Sequence, residues 1–298
     1  MPMIKTTNGS RRGPRAPRSR CRLSCLALGA AGALALGLSF SCGGAKDDAA
    51  APSENDGPGG KRPAAAETMN NTLTDDEKSE GWVLLWNGVD FAGWRGVGLE
   101  TVPEGHWRVE DGTIRKLAAG EVPRQADGQP IQGGDLMTAA TFEDFDLRFE
   151  WKISPGGNSG LKYNVSEDIS KVHAPNHAAI GFEYQCLDDT ADYDPPILPN
   201  QTTASLYDLI PAGPKSLRPV GEFNESRIVF RGNHGEHWLN GARVVEYELG
   251  SPDLEARVAA SKFKSISGFA AKRAGHIVLQ DHGSAVWFRN LKLRPLAP

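Results

Sequence analysis

The stretch "FDLRFEWKI", residues 145–153, decides the fold prediction because apolar and charged residues alternate along its whole length. In an extended strand, successive side chains point to opposite faces. One face then carries Phe145, Leu147, Phe149, Trp151 and Ile153, and the other carries Asp146, Arg148, Glu150 and Lys152. Such a strand covers a hydrophobic core with its first face and meets solvent with its second, as strands of antiparallel sheets do.

A second stretch, "GFEYQCLDD" at residues 181–189, repeats this alternation with a different set of polar groups. Ile180, Phe182, Tyr184 and Cys186 fall on one face, and Gly181, Glu183, Gln185 and Leu187 fall on the other. The phase places the Cys186 thiol among core aromatic rings, so we interpret it as a packing residue. The polar face is either a wet surface or the floor of an active site, and alternation alone does not decide between them.

Period-two patterns continue along most of the chain and predict an all-β fold. Besides 145–153 and 179–187, strands are expected at 82–87, 106–117, 226–232, 236–249, 276–282 and 285–295. Two of these segments are expected to be hairpins, because Asp111-Gly112 and Asn240-Gly241 supply the positive φ angles of two-residue turns.

Helix signals are few. Thr74 and Glu77 form a capping box at the start of the domain, and Ser251 before Pro252 predicts a helix that continues through "DLEARVAASKF". Many short strands with one or two short helices indicate a two-sheet antiparallel β-sandwich. The chain after the linker is long enough for one sizeable core.

The first 42 residues have the order of a secretory signal. Seven basic residues and no acidic residue precede an apolar run from Leu23 to Phe40, and small residues surround Cys42. Cys42 is the expected lipidation site, which would anchor the exported chain to a membrane of the cell envelope. Simple signal-peptidase cleavage and a single-pass anchor are the alternatives, since the apolar run is about as long as the shortest membrane spans.

Residues 43–72 are expected to be a linker, because Ala, Gly, Pro and charged residues leave almost nothing to bury. The folded domain is then 73–298. Without its first 42 residues the chain keeps 26 of its 33 basic residues against 37 acidic ones, a formal charge of −11. That balance argues against nucleic acid as a partner. Cys186 is the one thiol inside the domain, so the fold must do without a disulfide.

Motifs for nucleotide, phosphate or nucleophile chemistry are absent: there is no G-x-x-x-x-G-K-[ST], no G-x-S-x-G and no C-x-x-C. The stretch "GGNSG" (156–160) is interpreted as a tight connection that sets Asn158 beside the charged face of 146–152. The connection from Asp188 to Gly221 is long enough to be functional, and it puts Tyr207 in a position to cover a cleft.

Histidines are the next candidates, because reactions at neutral pH commonly use one. His234 and His237 are three residues apart, and His173 and His177 are four apart, but neither pair lies in the helical pattern of a metal motif. His282 is the most informative, because it is expected on the polar face of a strand.

Longer motifs, in their order along the chain, resemble the 3-keto-disaccharide hydrolase domain family. They are "GWVLLWNGVDFAGWRG", "HWRVEDGTI", "FEDFDLRFEWKISPGGNSGLKY", "GFEYQCLDD", "SLYDL", "GEFNESRIVFRGNHGEHWLNGARVVEY", "SKF" and "HIVLQDHGSAVWFRNLKLRPL". Together they extend from Gly81 to Leu296, which is nearly all of the folded part. The resemblance implies a concanavalin A-like jelly-roll sandwich whose concave sheet forms the substrate cleft.

The resemblance also implies an unusual substrate, a glycoside already oxidised to a ketone at C3. The ketone acidifies the C2 hydrogen, so that a base can remove it, the enolate can expel the C1 substituent, and water can add across the resulting double bond. Such a site needs a base, an acid for the leaving oxygen and a group that stabilises the enolate.

Within this family chemistry, Glu183 is the expected base, because a carboxylate on a concave strand can be desolvated and its pKa raised. His282 or His237 is expected to protonate the leaving group. Lys152, Asn158 and Gln185 are candidates for holding the ketone or enolate oxygen. The remaining substrate-binding candidates are Glu150, Tyr163, Asp188, Tyr207, Asn240 and Gln280. No cofactor is required by this scheme, but a divalent metal ion held by Glu183 with His237 or His282 is a competing arrangement.

Two other functions stay open at this point. A laminarinase-type glycosidase shares the fold but uses two carboxylates about 5 Å apart on an E-x-D-x-x-E strand, and the nearest stretch here, "EDFDLRFE", has Phe145 in place of the Asp. A non-catalytic sugar-binding module is the other, because a fold does not settle a function. In all three cases the expected partner is a carbohydrate, and no oligomeric state is predicted.

Overall fold

The computed structural model describes residues 69–103 and 105–297, which form short helices and two β-sheets. The helices are α1 (Asp75–Ser79), α2 (Glu167–His173) and α3 (Pro252–Ala260), with a 3-10 turn at Pro199–Gln201. The strands are β1 (Val83–Leu84), β2 (Trp94–Gly96), β3 (Trp107–Glu110), β4 (Thr113–Lys116), β5 (Leu136–Thr138), β6 (Phe145–Ile153), β7 (Asn158–Val165), β8 (Phe182–Leu187), β9 (Asn224–Arg231), β10 (His234–Leu239), β11 (Ala242–Glu248), β12 (His276–Leu279) and β13 (Val286–Pro295). The expected signal at 1–42, with Cys42, and the linker up to residue 68 lie outside the described residues. Within the described part, no helix has the length and apolar character that crossing a membrane requires.

The strands are divided between two antiparallel sheets. The eight-stranded sheet has the order β11-β10-β9-β6-β13-β4-β3, with β1 paired to β13, and the five-stranded sheet has the order β2-β5-β12-β7-β8. Many neighbours are distant in sequence; β6, for example, lies between β9 and β13. The core therefore closes only when both halves of the domain come together. The expected all-β, two-sheet antiparallel sandwich with a few short helices is confirmed.

Apolar side chains of β6, β7 and β8 meet between the two sheets. The Phe149 and Tyr184 rings are nearly perpendicular with centroids 5.4 Å apart, and the Phe145 and Tyr163 rings pack edge to face at 6.1 Å; such pairs add about 0.5–1.5 kcal/mol to the burial itself. Cys186 lies fully buried in the same core, where burial raises the pKa of its thiol well above the ordinary value. A thiol held in the neutral form is a poor nucleophile, so its interpretation as a packing residue is confirmed.

Both expected hairpin turns are formed. Asp111 and Gly112 have φ angles of 48° and 65° between β3 and β4, and Asn240 and Gly241 have φ angles of 46° and 85° between β10 and β11. The Asn240 side chain fastens this turn to neighbouring segments, because its Oδ1 accepts from the Glu225 amide of β9 at 2.9 Å and its Nδ2 donates to the Ser216 carbonyl at 2.8 Å. Asn240 was expected to bind sugar, and these contacts give it the role of anchoring the turn instead.

The helix caps follow the sequence signals. Thr74 Oγ1 accepts from the Glu77 amide at 3.2 Å, and the Thr74 amide donates to the Glu77 carboxylate at 3.1 Å, which completes the predicted capping box. Ser251 Oγ caps α3 by accepting from the Leu254 amide at 3.3 Å. That helix ends at Ala260, earlier than predicted, so the "SKF" motif follows the helix rather than continuing it.

Strand β7 is the main element that the sequence did not predict. Its residues "NSGLKYNV" are nearly all buried, on both faces of the strand. The alternation of apolar and polar residues that marks a half-exposed strand is therefore weak in this segment. The chain crosses from the eight-stranded to the five-stranded sheet at a tight turn in which the Gly157 amide donates to the Ser154 carbonyl at 2.9 Å. Asn158 therefore lies on the five-stranded sheet and not beside the charged face of 146–152, as was expected.

The long connection after β8 adds a short edge to the five-stranded sheet. Leu206 forms an antiparallel bridge with Tyr184, and the Tyr207 amide donates to the Glu183 carbonyl at 3.0 Å. This register puts Ser205 opposite Gln185 and Tyr207 opposite Glu183. Because opposite residues of an antiparallel pair share a face, the connection extends the polar face of β8.

Candidate active site

Two rows of side chains cross the outer face of the five-stranded sheet, each passing over β12, β7, β8 and the added edge. The Glu183 row consists of Val278, Lys162, Glu183 and Tyr207, and the Gly160 row consists of Gln280, Gly160, Gln185 and Ser205. Strand pairing alone fixes these neighbours, since Lys162 is paired with Glu183 and Gly160 with Gln185. Together the two rows bring a carboxylate, an ammonium, a phenol and two amides onto one face.

The Glu183 side chain crosses from its own row to the Gly160 row. A Cβ atom at Gly160 would lie 2.8 Å from Glu183 Oε1 and 2.9 Å from its Cγ. Gln280 holds the other end, because its Nε2 donates to Glu183 Oε2 at 3.1 Å. The carboxylate is only 5% exposed. A side chain at position 160 would therefore force the Glu183 carboxylate to shift.

Opposing electrostatic effects act on Glu183. Burial is the largest of them and raises the pKa of the carboxyl group, while the positive charges of Lys162, Lys262 and His282 lower it. Burial prevails, so the pKa is raised above its ordinary value. A buried carboxylate of this kind is a stronger base than a solvated one, and the cations around it suit a reaction in which negative charge develops on the substrate.

Lys162 is held in place by a second buried carboxylate. Its ammonium lies 2.8 Å from Asp135 Oδ2 and donates to the Ala179 carbonyl at 3.1 Å. Burial acts most strongly on the pKa of Lys162 and lowers it, but the charges of Asp135 and Glu183 outweigh burial and raise the pKa overall. Lys162 thus stays a fixed positive charge beneath the site. Asp135 also accepts from the Asp281 amide at 2.8 Å, which ties Lys162 to the segment after β12.

Lys262, Tyr207 and His282 stand at the solvent side of the site. The Lys262 side chain is exposed, but its ammonium lies 4.3 Å from the centroid of the Tyr207 ring, and partial desolvation lowers its pKa. Burial and the charge of Glu183 raise the pKa of Tyr207, which keeps its phenol protonated. The Lys262 amide donates to Asp208 Oδ2 at 2.9 Å, so the segment after α3 is fastened to the long connection.

The sequence-predicted candidates divide into residues that this face collects and residues that it does not. Collected on the outer face of the five-stranded sheet are Glu183, Gln185, Asn158, Tyr207, Gln280 and His282. Asn158 lies at the end of β7, opposite Leu187.

His237 and Tyr163, by contrast, lie between the two sheets. His237 is fully buried, its Nε2 is 2.8 Å from the Tyr163 hydroxyl and its Nδ1 is 3.0 Å from the Ala204 carbonyl oxygen. Burial lowers the pKa of His237 to about 4. The backbone of the five-stranded sheet separates both residues from Glu183, because Tyr163 and Glu183 point to opposite faces. The expectations of an acid role for His237 and a sugar-binding role for Tyr163 are corrected on this ground.

Lys152 and Glu150 lie on the outer face of the other sheet. Glu150 forms an ion pair with Arg289 at 2.7 Å, and the Lys152 ammonium lies 4.8 Å from the centroid of the Trp287 ring. Lys152 was expected to hold the enolate and Glu150 to bind sugar. Both positions lie on the far side of the sandwich from Glu183, because the charged face of β6 points away from the core.

Asp188 is engaged in its own loop. Its Oδ2 accepts from the Gly156 amide at 2.8 Å and its Oδ1 from the Thr190 amide at 3.0 Å. These bonds lower the pKa of Asp188, although burial, the largest single influence, raises it. Asp188 therefore shapes the end of β8 and is not available to a substrate, contrary to the expectation.

A three-ligand metal cluster does not form at Glu183. In the described residues, three His, Cys, Asp or Glu ligand atoms approach one another at His234, Glu236 and Glu246, on the outer face of the eight-stranded sheet. There Arg243 already neutralises both carboxylates, at 3.0 Å from Glu236 and 2.9 Å from Glu246. His237 cannot join Glu183, because it lies fully buried between the two sheets. A metal ion held by Glu183 with His282 stays a prediction.

A groove of about 430 Å³ lies on the outer face of the eight-stranded sheet. Its charged side chains are largely neutralised by one another: Arg227 pairs with Asp146 at 2.7 Å, and Lys292 pairs with Glu77. Two of its carboxylates are held by cations, Glu77 by Lys292 and Glu150 by Arg289. The outer face of the five-stranded sheet is therefore the better candidate for chemistry.

Comparison with known proteins identifies the family of the chain. A family model described as the 3-keto-alpha-glucoside-1,2-lyase-like domain matches residues 81–294. The chain belongs to this family. A 3-keto-disaccharide hydrolase from Bacteroides thetaiotaomicron is 34% identical over 285 residues, which cover 88% of this chain and 96% of that protein.

Solved structures similar to this family member come from Parabacteroides distasonis. One proposed glycosyl hydrolase is 31% identical with a TM-score of 0.65, covering 77% of this chain and all of the other. A second is 25% identical with a TM-score of 0.54, covering 72% and 99%. Both support the sandwich fold of the family for this chain.

Four residues of the site were not predicted from the sequence of this chain: Lys162, Asp135, Lys262 and Ser205. Lys162 had a usable signal, because Ser159, Leu161, Tyr163 and Val165 alternate around it in "NSGLKYNV". Ser205 and Lys262 lie in the motifs "SLYDL" and "SKF", but no local pattern places them at the site, because their positions depend on a loop that pairs with β8 and on a segment that follows α3.

Proposed function

We propose that this chain is an enzyme that cleaves 3-keto-glycosides by removing the C2 proton, eliminating the C1 substituent and adding water. The observation that carries the proposal is the Glu183 carboxylate, which is buried, raised in pKa and held across Gly160 among cations. Family membership and a 34% identical relative named as a 3-keto-disaccharide hydrolase support the substrate class.

Proton removal is the first step. Glu183 takes the proton from C2, and the electrons of the C–H bond move through C2 and C3 to the ketone oxygen, which becomes an enolate. Lys262 and the Tyr207 phenol are the donors on the solvent side of Glu183, and Lys162 adds a fixed positive charge below. Stabilisation of a developing oxyanion by preorganised charge is commonly the largest contribution in such reactions.

Elimination and hydration then complete the cycle. The enolate returns its electrons, the C3 ketone reforms, a C1–C2 double bond appears, and the C1–O bond breaks as protonated His282 gives a proton to the leaving oxygen. Water next adds to C1 and gives a proton to His282, while Glu183 returns its proton to C2. Both groups regain their starting states, and the net reaction consumes one water molecule.

A conventional double-displacement glycosidase is less consistent with the site. That mechanism needs a second free carboxylate about 5 Å from the first. Asp135 is the other carboxylate whose charge reaches Glu183, but it is bound by Lys162 and by the amides of Ala179 and Asp281. A carboxylate that is paired with a buried ammonium and held by two amides is fixed in place and neutralised, which makes it a poor nucleophile.

The protein is also proposed to act outside the cytoplasm. Support comes from the basic and apolar segments of residues 1–42 and from the acidic balance of the remainder. Attachment through a lipid on Cys42 is part of the same proposal, and mass spectrometry of the purified membrane form would detect the added acyl groups.

The test of the reaction compares matched substrates. Purified protein is incubated with 4-nitrophenyl 3-keto-α-glucoside and with unoxidised 4-nitrophenyl α-glucoside, and nitrophenol release is followed. We expect release from the 3-keto substrate only, with C2 hydrogen exchange visible by NMR in heavy water. Release from the unoxidised glucoside alone would overturn the proposal, and binding without release from either would favour a sugar-binding module.

A further inference from the structure

The Gly160 row contains an unusual number of polar atoms without partners. In the described residues, five buried side-chain atoms lack a hydrogen bond, and three of them are Gln185 Oε1, Gln280 Oε1 and Ser205 Oγ. Gln185 is 2% exposed and Ser205 is not exposed at all. Buried polar atoms are nearly always satisfied in folded proteins, so three unsatisfied ones in a single row point to a ligand.

The hydrogen bonds of the two amides fix which of their atoms is free. Gln185 Nε2 donates to the Gln201 carbonyl at 3.2 Å, and Gln280 Nε2 donates to Glu183 Oε2 at 3.1 Å. An amide nitrogen cannot accept, and a carbonyl oxygen cannot donate. The free atoms are therefore two carbonyl oxygens, which require donors from a ligand.

This requirement indicates the role of the free atoms. Gln185 was expected to help hold the ketone or enolate oxygen through its amide nitrogen, which already gives one of its two N–H groups to the Gln201 carbonyl, but the atom it leaves without a partner is an acceptor. A sugar hydroxyl, in contrast, is a donor that can satisfy a carbonyl oxygen and also bond to the Ser205 hydroxyl. The two rows thus have complementary chemistry: the Glu183 row carries an ammonium, a carboxylate and a phenol, and the Gly160 row carries the free acceptors.

We propose that Gln185, Gln280 and Ser205 form a hydroxyl-recognition subsite, which accepts O–H groups of the same sugar ring whose C2 faces Glu183. This subsite rests on the proposed function for its position relative to the reacting carbon, but its ligand chemistry follows from the free acceptors alone. A sugar that lacks the recognised hydroxyl would leave these acceptors desolvated and unpaired, which sites of this kind discriminate against strongly.

Binding measurements in a turnover-deficient background test the subsite. On the full chain carrying Glu183→Gln, dissociation constants are measured for 4-nitrophenyl 3-keto-α-glucoside and for its 4-deoxy and 6-deoxy analogues. We expect at least one deoxy analogue to bind about tenfold more weakly. Adding Ser205→Ala or Gln185→Leu should weaken the parent and reduce that ratio.

Thr203→Val is the matched control, because Thr203 is a fully buried hydroxyl on the same edge whose Oγ1 already donates to the Leu187 carbonyl at 2.8 Å. It should lower the melting temperature and leave the deoxy ratio unchanged. Ser205→Ala removes a hydroxyl without a protein partner, so it should keep the melting temperature and change the ratio.

The outcomes separate the subsite from the reaction. Equal affinity for all three ligands, or a ratio unaffected by Ser205→Ala, would overturn the subsite and would mean that bound water alone satisfies these atoms. If wild-type protein fails to cleave the 3-keto substrate while the deoxy ratio responds to Ser205→Ala, the subsite stands and the proposed reaction fails.

Discussion

The two outer faces of this sandwich carry many charged and polar groups, but they use them differently. On the eight-stranded sheet, Arg227 pairs with Asp146 and Arg289 with Glu150, each at 2.7 Å and each through a partly exposed guanidinium group. On the five-stranded sheet, Glu183 is buried, lacks a contact ion partner and lies beside unsatisfied amide oxygens. Partly exposed ion pairs add little to stability, whereas a buried, incompletely satisfied group is costly and is typical of a functional site.

The largest effect on turnover is expected when Glu183, the carboxylate of the five-stranded sheet, is neutralised. Glu183→Gln should reduce turnover of the 3-keto substrate about a thousandfold, because it removes the base. The variant should remain as stable as wild type at pH 8, since burial already disfavours the ionised form of Glu183.

Glu150→Gln is the matched control on the other face, since it removes a carboxylate that binds Arg289 and Asn290. It should leave turnover unchanged when initial rates are compared at saturating substrate. A loss of activity in Glu150→Gln equal to that of Glu183→Gln would place the reaction on the eight-stranded sheet.

A smaller effect is expected when Glu183 is displaced and not removed. Gly160→Ala puts a methyl group 2.8 Å from Glu183 Oε1, and a shift of about 1 Å in a catalytic group commonly costs about a hundredfold in rate. Gly120→Ala is the control, because its Cβ would meet nothing within 4 Å. The measurement compares the steady-state rates of the two variants, after the melting temperature of each has been checked. Equal rates would show that the carboxylate position at Gly160 is not catalytic.

The cations near Glu183 should set the pH dependence of the reaction rate. Glu183 acts as the base when deprotonated, so kcat/KM should fall as pH falls through its raised pKa. Lys262→Met removes a positive charge that lowers the pKa of Glu183, so the acidic limb should move to higher pH. The rate should also fall about tenfold, less than for a buried oxyanion donor because Lys262 is exposed.

Lys264→Met, two residues further along and exposed, is the control for Lys262→Met. Its pH–rate profile should coincide with that of wild type. A limb that moves to lower pH in Lys262→Met would contradict the assignment of Glu183 as the base.

The contrast between the faces also explains what could be read from sequence. Alternation in β6 and β8 gave the sandwich, the core face and the position of Glu183, because those strands have one apolar and one polar face. The same alternation could not assign a polar face to a sheet. Glu150 and Lys152 looked equivalent to Glu183 and Gln185 for that reason, although they lie on opposite sides of the molecule.

The rest of the site depended on long-range pairing. His237 alternates in β10 with the half-buried His234 and Trp238, but only the packing of β10 shows that its side of the strand faces the core. Ser205 joins the site because Leu206, in the long connection after β8, pairs with Tyr184. No local pattern records such a contact, which is why spacing alone could not find it.

Substitution of His237, which is buried between the sheets, is expected to change stability and to have almost no effect on turnover. Burial lowers the pKa of His237 to about 4 in the folded protein, from about 6.5 in an unfolded chain. The unfolded chain therefore binds a proton more readily between these values, and stability falls as pH drops from about 6.5 to 4, by about 3 kcal/mol in total. Urea unfolding across this pH range measures the slope.

His237→Gln should flatten that slope, while His282→Gln, at an exposed position, should leave it as in wild type. Activity should show the reverse order, because His282 lies on the face of Glu183 and His237 on the other side of the sheet. A turnover loss in His237→Gln at a pH where its melting temperature matches that of wild type would contradict the separation of core and site. If both variants keep the wild-type slope, the low pKa of His237 is not what couples stability to pH.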